Sequence, residues 1–225
     1  IEDPIEFVHH NRNSIVVHRE VGIHTETFGA GLRSAMRADP DIILVGEMRD
    51  LETIRLALTC ATMGMLVFGT LHTNNALQAV TRLVQVGVAP YLVGATLLGA
   101  MAQRLVRRLC PDCRAPRVLS KREAEEFFVV DEPGDVTFFE PTGCSRCGGV
   151  GFRGRTAIHE IVGMTDTLRD RVAEEAGYAS LSKAAADAGY RPMFYDGLKK
   201  VLRGVTTIQE IRKTVLHAEG LSLEG

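Results

Sequence analysis

The strongest constraint on this chain is a pair of Cys-x-x-Cys motifs, Cys110 to Cys113 and Cys144 to Cys147, with 30 residues between them. Two cysteines at this spacing form a tight turn that can direct both sulfurs at one tetrahedral metal ion. Two such turns complete a shell of four sulfurs, so the pattern predicts a zinc site. A closed shell leaves no open coordination position, and we therefore expect the zinc to be structural. The fifth cysteine, Cys60, lies in an apolar helical run and is expected to be a small buried residue.

Upstream of the cysteines, apolar runs of strand length alternate with amphipathic helical patterns. Ile42–Val45 and Met65–Gly69 are continuous apolar runs, which are typical of parallel strands covered on both faces. The periodicity predicts helices over 27–36, 51–63 and 74–85. This alternation predicts an α/β fold built on a parallel sheet. A further β-like stretch runs from Ser14 to His18.

The character of the sequence changes at the first cysteine pair, where loops, prolines and glycines become frequent. We expect three domains: residues 1–109 as an α/β core, 110–155 as a zinc subdomain, and 156–225 as a helical C-terminal subdomain. The uncharged segment 83–103 has the length of a membrane span, but Pro90 and its glycines favour a buried helix.

Composition and charge restrict the functional classes. The net charge is −2, so no global basic field argues for nucleic acid or for an anionic lipid surface. Five cysteines, four of them in close pairs, are typical of metal binding in a reducing compartment. The chain begins with Ile1 and carries no signal-peptide pattern, and we expect it to be part of a longer protein.

Acidic residues follow the predicted strand at 42–45 and also lie at the start of the chain, just after what should be another strand. Glu47 comes after the apolar run 42–45 and Gly46, which is the shape of a Walker B element. Glu2, Asp3 and Glu6 form a second acidic cluster. Carboxylates at the carboxyl edge of a parallel sheet can hold a water on Mg²⁺ or act as a general base. The alternatives are a solvated strand end for Glu47 and an acidic turn for the cluster.

A third polar cluster, Thr70 to Asn75, follows the run 65–69 and contains His72. A histidine at a strand end, beside hydroxyls and amides, can sense a γ-phosphate by hydrogen bonding; a structural histidine is the alternative. Because the carboxyl ends of parallel strands share one edge of a sheet, we expect the three clusters to line one cleft.

Taken together, these motifs resemble those of the secretion ATPase superfamily, the hexameric RecA-like motors of type II secretion and type IV pilus assembly. The resemblance spans nearly the whole chain and rests on segments 1–6, 32–50, 70–74, 103–107, 151–160 and 204–210. It implies a RecA-like core with a four-cysteine zinc insertion, which assembly and secretion motors carry and pilus-retraction motors lack. It also implies ATP, Mg²⁺ and Zn²⁺ as cofactors.

The resemblance implies residue roles. Glu2 matches the Asp-box acid that activates water, Glu47 the Walker B glutamate of the magnesium shell, and His72 the His-box histidine near the γ-phosphate. Arg49 is expected to transmit the nucleotide state, with a plain ion pair as the alternative. The expected cofactor-binding residues are Asp3, Glu6, Arg49 and Thr70.

The family pattern also implies partners and a location. We expect a hexameric ring that binds an inner-membrane platform protein and other secretion or pilus components, with no nucleic acid. The ring would lie in the cytoplasm and reach the inner membrane only through partners. Two departures are Ala38 in place of glutamine and Met63-Gly64-Met65 in place of Thr-Gly-His.

The sequence contains no Gly-x-x-x-x-Gly-Lys-Ser/Thr phosphate loop, which in this family precedes the Asp box. We therefore expect these 225 residues alone to be inactive as an ATPase. Two non-enzymatic alternatives stay open: a zinc-binding protein-interaction module like the Hsp40 cysteine-rich domain, and a zinc ribbon that binds nucleic acid through its arginines.

Overall fold

The structure is a computed structural model that describes residues 1–119 and 136–219. The described residues form two compact units. The first contains residues 1–100 and 162–188, and the second contains residues 101–161 and the part of the chain from 189 onward. The three domains expected from the sequence stay a prediction. The segment 162–188 nevertheless packs with the N-terminal residues, although it follows the cysteines in sequence.

In the first unit, strands β1 (Ile42–Val45) and β2 (Leu66–Gly69) pair in parallel with Ile42 opposite Leu66. Helices α1 (Phe28–Ala35) and α2 (Leu51–Thr62) precede and join them. The predicted strand–helix–strand order is therefore confirmed. The sheets among the described residues are small, each with two strands, within a mixed α/β fold.

One face of the β1–β2 sheet is covered and the other is not. Ile43 and Val45 pack against α1 and α2 around Leu32 and Cys60, all of which are buried. On the opposite face, Ile42 is 59% exposed, and Leu44, Leu66 and Phe68 are exposed as well. The expectation of strands covered on both faces is wrong for the described chain, because both of these helices pack on the same side.

The predicted strand at 14–18 is also wrong. The structure has no strand there, and Ile15 is 84% exposed. Just after the segment, Glu20 forms an isolated parallel bridge with Glu2. β-branched residues favour strands only when they find a partner strand and a covered face, and 14–18 finds neither among the described residues.

The first unit is completed by four helices, whose bounds are Ala76–Gln85 (α3), Pro90–Thr96 (α4), Asp166–Ala173 (α5) and Tyr178–Asp187 (α6). Asn75 caps α3, since its side chain accepts the amide N–H of Gln78 at 2.8 Å. Helix α4 begins at Pro90, as expected, but ends after seven residues. No described helix is long and apolar enough to cross a membrane.

The second unit contains most of strands β3 (Gly99–Leu109) and β6 (Phe152–Gly163), which pair with each other. Its hairpin of β4 (Arg114–Leu119) and β5 (Val136–Pro141) is antiparallel. Helices α7 (Met193–Leu202) and α8 (Ile208–Glu219) follow. The predicted helical tail from residue 156 is wrong at its start, because β6 continues to Gly163 and the first helix begins at Asp166.

Candidate ATPase site and four-cysteine cluster

The ends of β1 and β2 are tied together by Thr70. Its hydroxyl donates to the carbonyl oxygen of Gly46 at 2.5 Å, and its own carbonyl accepts the N–H of Met48 at 3.0 Å. These contacts place Glu47 beside the loop that carries His72. In this structure the Thr70 hydroxyl therefore holds the two strand ends together. The sequence predicted a contact between Thr70 and the nucleotide and did not predict this structural contact.

Glu47 has both carboxylate oxygens engaged. Oε1 lies 2.6 Å from His72 Nε2, and Oε2 lies 2.5 Å from Arg49 Nη2. The Glu47 side chain is only 18% exposed, whereas that of His72 is 86% exposed. The hydrogen bond from Arg49 lowers the pKa of Glu47, and the bond with His72 lowers it further. Glu47 is thus an ionised carboxylate held between a guanidinium and an imidazole.

Glu2 and Asp3 lie close to this group. Gly46 donates its N–H to the carbonyl of Ile1 at 2.8 Å, and a Cβ built on Gly46 would come within 3.2 Å of Glu2 Cα. The absence of a side chain at Gly46 therefore lets the Glu2 backbone approach the end of β1. Asp3 contributes electrostatically to a raised pKa of Arg49, whose main cause is the hydrogen bond to Glu47.

The structure brings together most, but not all, of the predicted site. Glu47, His72 and Arg49 are in direct contact, with Thr70 beside them. Glu6 is exposed, and among the described residues it makes no hydrogen bond or ion pair with this group. The sequence predicted that Glu47 and His72 would line one cleft. It did not predict the direct hydrogen bond between their side chains.

The second predicted centre is the four-cysteine cluster. The sulfurs of Cys110, Cys113, Cys144 and Cys147 all lie within 4.8 Å of one another. The shortest separations are 3.8 Å for Cys144–Cys147 and 3.9 Å for Cys110–Cys144 and for Cys113–Cys147. Four sulfurs arranged tetrahedrally around zinc at about 2.3 Å would be roughly 3.8 Å apart. The cluster is therefore compatible with a zinc ion.

Backbone amides add to this arrangement at Cys147. The N–H groups of Cys144 and Gly151 both donate to its sulfur at 3.2 Å. The bond from Cys144 is the main cause that lowers the pKa of Cys147 to about 6, and the bond from Gly151 adds to it. Burial raises the pKa of Cys110 to about 11. A thiolate is the form that binds a metal, and these amides stabilise it at Cys147.

Three arginines around the first cysteine pair are engaged within the second unit. Arg107 donates to Glu210 at 2.5 Å and lies 4.2 Å from the centre of the Phe152 ring. Arg117 pairs with Glu140 at 2.6 Å. The guanidinium of Arg114 lies over the ring of Phe139 and donates to the carbonyl of Gly204. These contacts are those of a basic face balanced by internal partners.

Comparison with known proteins identifies the family. The family model described as "Type II/IV secretion system protein" matches residues 1–213. The chain belongs to the type II/IV secretion system protein family. It is 41% identical over 215 residues to the type II secretion system ATPase E of Vibrio cholerae, covering 95% of this chain and 41% of that protein. It is 40% identical over 212 residues to the type IV pilus assembly ATPase PilB of Myxococcus xanthus, covering 93% and 37%.

Structural comparison agrees with this assignment to the type II/IV secretion family. The crystal structure of the pilus retraction motor PilT with bound ADP matches with a TM-score of 0.68 and 29% identity, covering 94% of this chain and 50% of that one. The mixed α/β fold described above therefore resembles that of this pilus retraction motor. The chain spans about two fifths of the length of the two curated relatives named here.

Proposed function

We propose that this chain is part of a motor ATPase that hydrolyses ATP to power type II secretion or type IV pilus assembly. The observation that carries the proposal is Glu47, an ionised carboxylate at the end of a parallel strand in contact with Arg49 and His72. Membership of a family whose named relatives are ATPases supports it. Within a RecA-like core, this strand edge is where the nucleotide would bind.

The residues present fit the chemistry of phosphoryl transfer. Carboxylate oxygens are the ligands that Mg²⁺ takes from proteins, often through water, and Glu47 and Glu2 would hold the ion's water shell or orient the attacking water. Bound Mg²⁺ would neutralise charge that develops on the phosphates. Arg49 holds one Glu47 oxygen, so nucleotide entry would be sensed where Arg49 and Glu47 meet. His72, which is exposed, would exchange Glu47 for a γ-phosphate oxygen.

The four-cysteine cluster is proposed to bind one structural Zn²⁺. Its support is the three sulfur–sulfur separations of 3.8–3.9 Å and the two amide hydrogen bonds to Cys147. Four protein ligands would leave no open position for a substrate. In this proposal the ion stabilises the second unit and takes no part in hydrolysis.

Hydrolysis by the full-length gene product tests the proposed activity. We expect phosphate release from ATP that requires Mg²⁺ and stops when EDTA is added, because the reaction depends on charge neutralisation by the ion. The 225-residue chain by itself serves as the comparison and is expected to stay at background, since it contains no phosphate loop. Absence of Mg²⁺-dependent hydrolysis in folded full-length protein would contradict the proposal.

A ring is the proposed working form, most simply a hexamer docked on an inner-membrane platform protein at the cytoplasmic face. Arginines of one subunit would then stabilise charge on a neighbour's nucleotide. We expect light scattering to show assembly of the full-length gene product, increased by a non-hydrolysable ATP analogue. A strict monomer in both conditions that retains full hydrolysis at high dilution would rule out the ring mechanism.

A further inference from the structure

The loop that carries His72 is connected to helix α6, more than a hundred residues further along the chain. Asn75, at the end of this loop, donates from Nδ2 to the hydroxyl oxygen of Tyr178 at 3.3 Å. Tyr178 is the first residue of α6. Both residues belong to the first compact unit, so this contact lies within one body.

Asn75 is well placed to pass a restraint to the loop. Its side-chain oxygen caps α3 by accepting the N–H of Gln78, and the Gln78 side chain accepts the N–H of Asn74 at 3.2 Å. Its backbone carbonyl accepts the hydroxyl of Thr73 at 3.1 Å. Thr73 is therefore hydrogen-bonded to Asn75, and Asn74 is hydrogen-bonded to Gln78, the residue that Asn75 caps. A displacement of Asn75 moves the loop with it.

Helices α3 and α6 approach each other directly, and a cavity opens beside their contact. The cavity has a volume of about 670 Å³ and is lined by Gln78, Val80 and Gln85 of α3 and by Leu181 of α6. His72 and Tyr178 also line this cavity. Because a cavity leaves the atoms that line it without packing partners on one side, the Asn75–Tyr178 hydrogen bond supplements the packing between α6 and the loop that carries His72.

Helix α6 is itself held in place by packing, so it can restrain the position of the loop. Leu181 and Ala185 of α6 are buried, as are Leu168 and Val172 of α5. Helix α5 packs on α4, and Arg169 donates to the carbonyl of Gly94 there. A loop that is hydrogen-bonded to a rigid helix is restrained by that helix, and catalytic side chains on such a loop are held more precisely.

We propose that Tyr178 is a positioning residue, which through Asn75 holds the loop so that His72 meets Glu47. The expected effect on the rate rests on the proposed ATPase function. The restraint of the loop by the Asn75–Tyr178 hydrogen bond, called the brace below, does not depend on that function. No motif singled out in the sequence includes Tyr178. Its role therefore goes beyond the residues expected to contact nucleotide.

Tyr178→Phe in the full-length gene product tests the brace, because it removes the hydroxyl and keeps the ring. Hydrogen–deuterium exchange is expected to rise in peptides covering 70–77 and to stay unchanged elsewhere. Tyr195→Phe is the matched control, since Tyr195 is 47% exposed against 45% for Tyr178 and lies in the other unit. Unchanged exchange at 70–77, or a rise spread over the whole first unit, would overturn the proposal. This measurement stands even if the protein proves not to hydrolyse ATP.

The rate test uses a double-mutant cycle. Tyr178→Phe and Asn75→Ser, which keeps a capping oxygen but loses the amide donor, are each expected to lower kcat about 3- to 10-fold with KM changed less than 2-fold. The double variant is expected to be no slower than the slower single variant, since both changes remove one contact. If the two single-variant reductions in kcat multiply in the double variant, or if only KM changes, the two residues do not act through each other. Wild-type kcat in both single variants would show that the brace has no catalytic role and would refute the proposal.

Discussion

Glu47→Gln is expected to lower kcat for ATP hydrolysis by about 10²- to 10³-fold in the full-length gene product, the range for loss of one preorganised electrostatic group at the reacting centre. The amide keeps the size of the side chain but removes the charge that pairs with Arg49 at 2.5 Å. In phosphoryl transfer the protein mainly positions water and neutralises charge, so the loss should fall on the chemical step. A fluorescent nucleotide should therefore bind with nearly unchanged affinity.

Glu140→Gln is the matched control for this change. Glu140 also pairs with an arginine, Arg117, at 2.6 Å, but it lies on β5 in the second unit. We expect its kcat to equal that of the wild type. Glu2→Gln should also bind nucleotide and turn over slowly if Glu2 orients water, and comparing its rate with that of Glu47→Gln separates their roles. Wild-type turnover in Glu47→Gln would remove Glu47 from the mechanism.

Removal of the metal is expected to unfold the second unit and to leave the first largely protected. Metal analysis of protein purified without added metal should give one zinc per chain. Structural zinc sites contribute apparent free energies of about 10–16 kcal/mol, whereas whole domains are stable by only about 5–15 kcal/mol. The four sulfurs join the hairpin start at Cys113 to the turn at Cys147, so their release disconnects both.

The effect should extend to the C-terminal helices, well beyond the cysteines themselves. Arg114, next to Cys113, donates to the carbonyl of Gly204 just after α7. A Cβ at Gly204 would lie 2.5 Å from the ring of Phe139, so β5 and this turn are in close contact. After chelation, hydrogen exchange should therefore rise over 189–215 as well as over 101–119 and 136–161. Protection in 1–100 should change little.

Cysteine variants provide the matched comparison. Cys147→Ser should lose the zinc and show the same exchange pattern as the chelated protein. Cys60→Ala removes the one cysteine outside the cluster, buried in the first unit, and should keep one zinc per chain. A metal content near zero in well-folded protein, or equal loss of protection in both units, would contradict the structural role.

Local structure was largely predictable from the residues. The strands at 42–45 and 66–69 and the helices at 28–35, 51–62 and 76–85 agree with the periodicity, because strand and helix patterns are short-range properties. The helix starts agree to within two residues, and Asp50 and Asn75 cap their own helices by accepting an N–H three residues further on. The four cysteines were predictable as a cluster because x₂ spacing constrains each turn locally.

The failures have a common cause. The stretch 14–18 has strand-forming residues but no partner strand among the described residues, and the sheet face at Ile42 and Leu44 is exposed because α1 and α2 lie on the other side. The helical tail was placed too early because a strand, β6, pairs with the distant β3. In each case the outcome depends on what lies across space, which periodicity along the chain does not encode.

By itself, then, the sequence determined the elements near each motif, the cysteine turns, and the type of residue at each strand end. Only the tertiary structure decided that Glu47 would meet both Arg49 and His72, the latter 25 residues away. It also decided that residues 162–188 would pack with the N-terminal unit and bring Tyr178 to Asn75, 103 residues away. The physical reason is range: caps and turns are closed by neighbours along the chain, whereas these contacts exist only once the helices and strands have packed.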